Sequence, residues 1–256
     1  MIWAKRFFAD LGGTYIDSLR AIGALPWLFA AIIGWEFAQH VVEVRIGMFE
    51  SVEAAKAVGM DASRMVFGWI KMLSIYIGAF FVIRHFAGSR GGRTLASLQQ
   101  AAKRFVPYTA YSLLIFAGVF YARDLVAGDQ VDVFRGTLGL GQLLIEPLLM
   151  AWVVAAATDG RIGNPWASAR RTGLLYLLAL PLYLLARVPV GLLHNGLNEW
   201  AMGTQGLELW SLLAIDSFVL GIIVAIVPAA MVRVARWVDV RSADRDARLP
   251  AGRAIA

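Results

Sequence analysis

Six stretches of the chain are apolar over lengths close to that of a membrane-spanning helix. A span needs about 20 mostly apolar residues, because the hydrocarbon core is about 30 Å thick and a helix rises about 1.5 Å per residue. The pattern therefore predicts an all-α, polytopic membrane helix bundle of six transmembrane helices. The predicted spans are residues 20–42, 65–86, 106–122, 137–158, 173–195 and 210–235.

Three segments outside these spans have a different pattern. Apolar positions recur at helical spacing beside charged residues over 2–18 and over 44–64, which predicts interfacial helices, or for 44–64 an extension of the first span. Residues 241–256 are rich in Arg and have no apolar period, so they predict a basic, disordered cytoplasmic tail. No intervening loop is long enough for a second domain, so we assign residues 1–240 to one six-helix domain.

Composition identifies lipid as the solvent of this chain. Hydrophobic residues make up 59% and charged residues 16% of the sequence, whereas soluble domains average about 45–50% and about 25%. There is no cysteine, which excludes disulfides, thiolate metal sites and catalytic thiols. The net charge of +6 would indicate nucleic acid in a soluble protein, but in a membrane protein its distribution matters more, and we expect no nucleic-acid partner.

The distribution of Lys and Arg predicts the orientation of the spans. If the N-terminus lies inside, 17 Lys and Arg residues fall on the inner side and five on the outer side. Cytoplasmic loops carry the excess of basic residues, so both termini are predicted to be cytoplasmic, in a multi-pass protein of the cell inner membrane. The expected partners are the lipid bilayer, with anionic headgroups at the basic inner face, and another membrane subunit.

Five ionisable residues lie inside the predicted spans, about 9–14 Å below the outer ends of their helices at about 1.5 Å per residue. A charge at such a depth costs at least about 2.5–3.5 kcal/mol, so it must face the bundle interior. Helical spacing extends these polar stripes outward, through His40 and Glu43 on the first span and through His194 and Asn195 on the fifth. The candidate binding residues are therefore Glu36, His40, Lys71, Glu146, Arg187, His194 and Asp216.

This polar group has two interpretations. It is a ligand, ion or proton-linked site reached from outside, where Pro147 and Pro189 would free backbone carbonyls beside the charges. Alternatively it consists of interhelical ion pairs that fix the register of the helices. The expected pairs are Glu146 with Arg187, and Lys71 with Glu36 or Asp216.

Small residues recur at every fourth position on three predicted spans, which lets helix backbones approach closely. These ladders are Ala30, Gly34 and Ala38 on the first span, Ala151 and Ala155 on the fourth, and Ala225 and Ala229 on the sixth.

Catalytic and cofactor motifs are missing from the sequence. It has no HExxH, no GxSxG and no phosphate loop, so we predict no catalytic residue, no metal and no cofactor. His40 and His194 could flank a haem, but haem proteins of this kind usually have more histidines. The favoured function is a non-enzymatic scaffold or accessory subunit. The alternative is a small transporter or ligand-binding membrane protein that uses the outward-facing polar residues.

One junction resembles a known group of membrane proteins. The stretch runs from Met150-Ala151-Trp152 through Ala155-Ala156-Ala157-Thr158-Asp159-Gly160-Arg161 to Pro165-Trp166-Ala167-Ser168-Ala169-Arg170-Arg171-Thr172-Gly173-Leu174. It is similar to the fourth-to-fifth helix junction of bacterial six-helix membrane proteins akin to the membrane domain of glycerophosphodiester phosphodiesterases. The resemblance implies an accessory inner-membrane protein. No phosphodiesterase domain accompanies it, so no catalytic residue is implied.

The threading makes a direct prediction about topology. Reporter fusions placed after residues 95, 166 and 245 should all report a cytoplasmic location, because each position follows an even number of predicted spans. A fusion after residue 128 is the matched control and should report the outer side. A periplasmic signal at residue 95 would contradict the threading.

Overall fold

The computed structural model describes residues 2–88, 94–158 and 160–247, and within those ranges the chain forms helices and no strand. This confirms the all-α prediction. The helices are α1 (Ile2–Ala24), α2 (Pro26–Arg45), α3 (Val52–Ala57), α4 (Ala62–Ala87), α5 (Leu95–Phe120), α6 (Ala122–Leu125), α7 (Val131–Ala157), α8 (Pro165–Thr172), α9 (Tyr176–Ala201) and α10 (Gly206–Ala247).

Four to five helical segments are long and apolar enough to cross a membrane. Within the described residues the four are Ala62–Ala87, Gly128–Ala157, Pro165–Ala201 and Gly206–Ala243. The pair Lys5–Ala24 and Pro26–Arg45 passes the same criteria together and makes a fifth, although it is bent by 96°. Helix α5 contains residues 106–120 of the predicted span 106–122 but is not among these segments, and it also carries Lys103 and Arg104.

The first predicted span is interrupted where α1 ends and α2 begins. Leu25 leaves the helical conformation, with φ −122° and ψ 53°, and Pro26 is the first residue of α2. Proline disfavours a helical conformation in the residue before it and is well tolerated in the first turn of a helix. Residues 20–24 therefore belong to α1, and the prediction of an unbroken helix over 20–42 is wrong at Leu25.

The predicted interfacial segments have different outcomes. Residues 2–18 are helical as predicted, within the longer helix α1. Residues 44–64 do not form one helix, because the chain turns after Arg45, with Gly47 at φ 78°, and restarts as the short helix α3. The Ser51 hydroxyl caps α3 by accepting a hydrogen bond from the Ala54 N–H at 3.1 Å.

The final helix is longer than its predicted span. Helix α10 continues to Ala247, so residues 241–247 are helical and the predicted start of the disordered tail is wrong. No Gly or Pro interrupts this segment before Pro250, which is consistent with helix continuation. The remainder of the predicted tail, residues 248–256, lies outside the described residues.

The chain divides into two compact units. Unit 1 consists of Met1–Asp10, Ile83–Tyr183 and Ala230–Ala256, and unit 2 consists of Leu11–Val82 and Leu184–Ala229. The assignment of residues 1–240 to a single domain stays a prediction.

In unit 1, helix α7 packs against α5 and α8. Its second half is buried through small side chains, including the predicted contact residues Ala151 and Ala155. The Ser168 hydroxyl of α8 donates to the Leu148 carbonyl at 2.6 Å and accepts from the Trp152 N–H at 3.1 Å. These two backbone groups bond directly in an uninterrupted helix, so Ser168 is inserted into the hydrogen-bond ladder of α7 just after Pro147.

In unit 2, helices α2, α4 and α10 approach closely at Gly78. A Cβ on this residue would lie 2.8 Å from both Ile32 Cδ1 and Val224 Cγ1, closer than non-bonded carbon atoms normally lie. Ala225 and Ala229 of the predicted ladder on α10 are buried. The ladder on α2 is not a helix contact, because nothing lies within 4 Å of a Cβ built on Gly34.

A tyrosine compensates for a proline inside unit 2. Pro189 of α9 has no N–H, so the Leu185 carbonyl one turn earlier lacks its usual helical donor. The Tyr15 hydroxyl of α1 donates to this carbonyl at 2.6 Å. The Leu185 carbonyl that Pro189 leaves without a backbone donor is therefore bonded to a side chain of the protein. It is not free to bind a ligand, in contrast to the interpretation from sequence.

We predict that Tyr15→Phe lowers the free energy of unfolding in detergent by about 1–3 kcal/mol, because it leaves the Leu185 carbonyl without a donor. The matched control is Tyr176→Phe, whose hydroxyl bonds the Leu144 carbonyl at 3.1 Å. The Leu144 carbonyl also has a donor within its own helix by helical geometry, the N–H of Leu148. Loss of the Tyr176 hydrogen bond should therefore cost only about 0.5–1.5 kcal/mol. If the two variants lose equal free energy of unfolding, the Tyr15 bond does not compensate for Pro189.

Candidate functional site

Unit 2 contains a cluster of charged and polar side chains contributed by four helices. We call it the charged cluster. Its members are Glu36, Gln39, His40 and Glu43 of α2, Arg64 and Lys71 of α4, His194 and Asn198 of α9, and Asp216 of α10. The four residues of α2 share one face because they are spaced three, four and seven positions apart, and all four are buried.

His40 lies at the centre of the charged cluster. Its Nδ1 is 3.0 Å from Glu43 Oε2, and its Nε2 is 3.0 Å from Asp216 Oδ2 and 3.7 Å from Glu36 Oε1. Its side chain is only 2% exposed. The imidazole therefore lies among three carboxylates from two helices, and each of the two contacts at 3.0 Å requires a proton or another cation between the nitrogen and the oxygen.

Asp216 is completely buried and has partners on α2 and α9. In addition to His40, His194 Nδ1 lies 2.6 Å from Oδ1 and the Asn198 side-chain amide donates to Oδ2 at 2.8 Å. Asn198 follows His194 by one helical turn, so α9 presents both groups to the same carboxylate. The carboxylate occupies the space between the two imidazoles, so a haem between His40 and His194, which the sequence left open, does not fit.

Helix α4 supplies the two permanent cations of the charged cluster. Lys71 Nζ contacts Glu36 Oε1 at 3.1 Å, and Arg64 Nε donates to Glu43 Oε1 at 3.2 Å. Of the two partners expected for Lys71, the structure selects Glu36. The side chains of Lys71, Arg64 and His194 are 18%, 20% and 22% exposed, and Asn198 is also partly exposed. Lys71, Arg64 and His194 form the accessible rim of the cluster, and its carboxylates and His40 are buried.

Local structure at the start of α4 positions Arg64. The Asp61 carboxylate caps this helix by accepting bonds from the Ser63 hydroxyl, the Ser63 N–H and the Arg64 N–H. These donors, Ser63 first, hold the pKa of Asp61 below its ordinary value. Arg64 also donates to the Gly59 carbonyl at 2.7 Å, so its guanidinium is fixed from two sides.

Apolar packing surrounds the charged cluster. Phe49 is 6.0 Å from His40 between ring centroids and belongs to a buried hydrophobic core with Ala201, Leu209 and Leu213. Trp35 stacks on Phe67 at 4.8 Å and donates to the Phe67 carbonyl, which joins α2 to α4 beside the Glu36–Lys71 contact. Such packing excludes water and strengthens each electrostatic contact inside it.

The polar groups of the charged cluster are not all satisfied. Glu36 is completely buried, and no donor among the described residues reaches its Oε2 atom. The Oε1 atom of Gln39 has none either in that part of the chain. Glu36, His40 and Asp216 each place one ligand atom within 4.8 Å of the others. Buried polar groups usually have partners, so these unpartnered oxygens require a reason.

The charge count of the cluster is unequal. Three carboxylates, on Glu36, Glu43 and Asp216, are accompanied by two permanent cations, on Lys71 and Arg64. One more positive charge balances the cluster, from a proton on an imidazole or from a bound cation. Ion pairing between helices alone does not account for Asp216, whose contacts in the described structure are two histidines and an amide.

The structure brings together five of the seven predicted residues. Glu36, His40, Lys71, His194 and Asp216 all belong to the charged cluster. Glu146 instead lies in unit 1, where it is buried and accepts from the Tyr108 hydroxyl at 3.1 Å and from the Gln142 amide at 3.4 Å. Arg187 lies in unit 2, and its pairing with Glu146 stays a prediction.

Four members of the charged cluster were not among the predicted residues. Glu43 lies beyond the predicted first span because apolar composition ends near residue 42, although α2 continues to Arg45. Arg64 comes one residue before the predicted second span, although α4 already begins at Ala62. Arg64 lies two helical turns before Lys71, and Asn198 lies one turn after His194, so helical spacing from a predicted residue was the available signal. Gln39 lies three residues after Glu36 on the same face of α2, so the same spacing would have indicated it.

Comparisons with protein-family models, with curated proteins and with solved structures found no match to this chain. The resemblance of residues 150–174 to the six-helix membrane proteins therefore remains an expectation.

We predict that His40 and Asp216 are energetically coupled. His40→Gln and Asp216→Asn should each lower the free energy of unfolding in detergent by about 3–5 kcal/mol, because each leaves buried partners uncompensated. The double variant should lose less than the sum by about 0.5–3 kcal/mol.

Asp216→Asn combined with Tyr15→Phe is the control pair. Tyr15 bonds the Leu185 carbonyl and shares no contact with Asp216 in the described structure, so these two losses should add. Additive losses for His40 and Asp216 as well would contradict the coupling.

Proposed function

We propose that the protein is a bacterial inner-membrane protein that crosses the membrane six times with both termini in the cytoplasm. The four to five segments of span character support this topology, and α5 supplies the sixth crossing. The excess of Lys and Arg on one side of the threading supports the orientation. Anionic lipid headgroups are the expected partners of the basic inner face.

We further propose that the protein is a small transporter or ligand-binding protein whose site is the charged cluster of unit 2. The observation that carries this proposal is the excess of acceptors: three buried carboxylates meet at His40, two permanent cations serve them, and Glu36 Oε2 remains without a donor. Charges inside a membrane bundle that are not matched one to one are typical of binding and transport pathways.

The partial exposure of the rim supports access for a ligand. Lys71, Arg64 and His194 are about one-fifth exposed, whereas Glu36 and Asp216 are completely buried. A ligand would therefore meet the partly exposed groups first and the buried carboxylates next. In the proposed topology these residues lie in the outer half of the membrane, which gives access from the outer side.

A scaffold or accessory subunit is the second candidate, and two contacts favour it. Lys71 with Glu36 and Arg64 with Glu43 join α4 to α2 as ordinary interhelical ion pairs. Pairs of this kind fix the register of helices without binding anything. On this view the remaining histidines and Asp216 extend the same structural network, and function resides in a partner protein.

Mass spectrometry of the intact protein, purified with native lipids, distinguishes the two functions. We expect a small ligand or ion to co-purify with the wild type and with Glu146→Gln, and to be lost from Asp216→Asn. Glu146 is the matched control because it is also a buried glutamate within a span-like helix, but it lies outside the charged cluster.

A species that binds all three proteins equally would contradict the proposal. A stoichiometric protein partner, with no small ligand in any sample, would instead support the scaffold.

A further inference from the structure

We infer that Glu36, His40 and Asp216 form a binding site for a divalent transition-metal ion. The inference rests on the proposed function of the charged cluster and names its ligand. It starts from the unpartnered, completely buried Oε2 of Glu36 and from the three ligand atoms that lie within 4.8 Å of one another.

The spacing of the three residues suits a shared metal ion. His40 Nε2 is 3.0 Å from Asp216 Oδ2 and 3.7 Å from Glu36 Oε1. Metal–nitrogen and metal–oxygen bonds of about 2.0–2.2 Å at tetrahedral angles place neighbouring ligand atoms about 3.3–3.6 Å apart. The two measured separations lie on either side of this range. Lys71 contacts the Oε1 atom of Glu36, so the unpartnered Oε2 atom has to rotate toward His40 to bind the ion.

Glu43 orients His40 for metal binding. With its proton on Nδ1, the imidazole donates to Glu43 Oε2 at 3.0 Å and directs the lone pair of Nε2 toward Glu36 and Asp216. Metal-bound histidines usually donate their other nitrogen to a carboxylate in this way. Glu43 is held in turn by Arg64 at 3.2 Å and by the Gln39 amide at 2.8 Å.

The two carboxylate ligands are also supported from outside the site. His194 contacts the Oδ1 atom of Asp216 at 2.6 Å, which leaves Oδ2 directed at His40. Lys71 contacts Oε1 of Glu36 at 3.1 Å, while Oε2 has no donor in the described structure. Glu36 thus has one oxygen held by Lys71 and one oxygen available to the ion. Asp216 has partners on both oxygens, and its Oδ2 atom would keep the hydrogen bond from the Asn198 amide at 2.8 Å while it binds the ion.

Charge favours a cation at this position. Two carboxylate ligands neutralise a divalent ion, and Glu43 is already paired with Arg64. The remaining charge is that of Lys71, whose side chain lies at the accessible rim. The ion replaces the proton between His40 Nε2 and Asp216, so no carboxylate of the cluster is left without a counter-charge.

The donor set selects the class of metal. Imidazole binds zinc, iron and other transition metals well, whereas magnesium and calcium prefer oxygen ligands alone. Three protein ligands leave a fourth coordination position open, unlike the four-ligand sites that only stabilise a fold. An open position allows the ion to enter and leave, in keeping with transport or ligand binding.

Titration of the full-length protein in detergent tests this site, using chelator-treated samples without an affinity tag. Isothermal titration should show one Zn²⁺ per chain, and Co²⁺ should give the absorption bands of a low-symmetry site. His40→Gln and Asp216→Asn should abolish both signals. Glu43→Gln should weaken Zn²⁺ affinity about 10- to 100-fold, because it removes the partner of the metal-bound imidazole.

Control variants separate the site from general metal binding. Glu146→Gln and His85→Gln change the same residue types in unit 1, and each should leave Zn²⁺ affinity unchanged. X-ray absorption of the Zn²⁺-loaded wild type needs no variant and should show one imidazole and otherwise oxygen at about 2.0–2.2 Å. A Zn²⁺ coordination shell with no imidazole, or with two imidazoles, would overturn the assignment of Glu36, His40 and Asp216 as the ligands.

The results also separate this inference from the proposed function. Absence of Zn²⁺ and Co²⁺ binding, or binding that survives His40→Gln, overturns the metal site. If a small ligand still co-purifies in an Asp216-dependent manner, the proposed function stands without the metal. If neither a metal nor a co-purifying ligand is found, both fail.

Discussion

The burial of the Asp216 carboxylate is the constraint on which the arrangement of unit 2 depends. Moving an ion from water into a low-dielectric interior costs several kcal/mol even after relaxation, and Asp216 is completely buried in a helix of span character. Its partners must therefore come from neighbouring helices, and they are His40 of α2 with His194 and Asn198 of α9. Since all three contacts form together at only one register of these helices, the charge requirement also fixes how they pack.

The same constraint extends along the chain of contacts to α4. His40 requires Glu43 on its other nitrogen, and Glu43 requires Arg64, which is held at the capped start of α4. Lys71, two turns further along α4, meets Glu36, and Gly78, two further turns along, admits the side chains of α2 and α10. Two polar contacts and one close apolar contact therefore follow one another along one face of α4. A substitution at any of these contacts would shift the helix and so change the geometry of the others.

Sequence reasoning found the helices and most of the buried charges because apolar runs and helical spacing are properties of single segments. It identified the polar stripe on α2 and limited the expected partner of Lys71 to Glu36 or Asp216. It did not separate Glu146 from the charged cluster, since depth along a helix says nothing about which helices are neighbours, and Glu146 lies in unit 1 with Tyr108. It omitted Arg64 because hydropathy began the second span at residue 65, whereas α4 already begins at Ala62. The predicted helix contact at Gly34 was wrong for a related reason. Helical spacing identifies residues that share a face, but it does not show whether another helix packs on that face.

Ion pairing and ligand binding place different demands on the same residues. A structural pair is complete when each charge has one partner, as with Arg64 and Glu43, and nothing is gained by leaving an oxygen unpartnered. A binding site must keep some of its acceptors unsatisfied until the ligand arrives, and this has a cost in stability. The charged cluster has both properties, since its permanent cations hold two carboxylates in place while Glu36 Oε2 has no donor in the described structure. The pairs on α4 therefore help to keep the carboxylates of Glu36, Glu43 and Asp216 close together around His40 despite the repulsion between these carboxylates, which a purely structural network would have no reason to maintain.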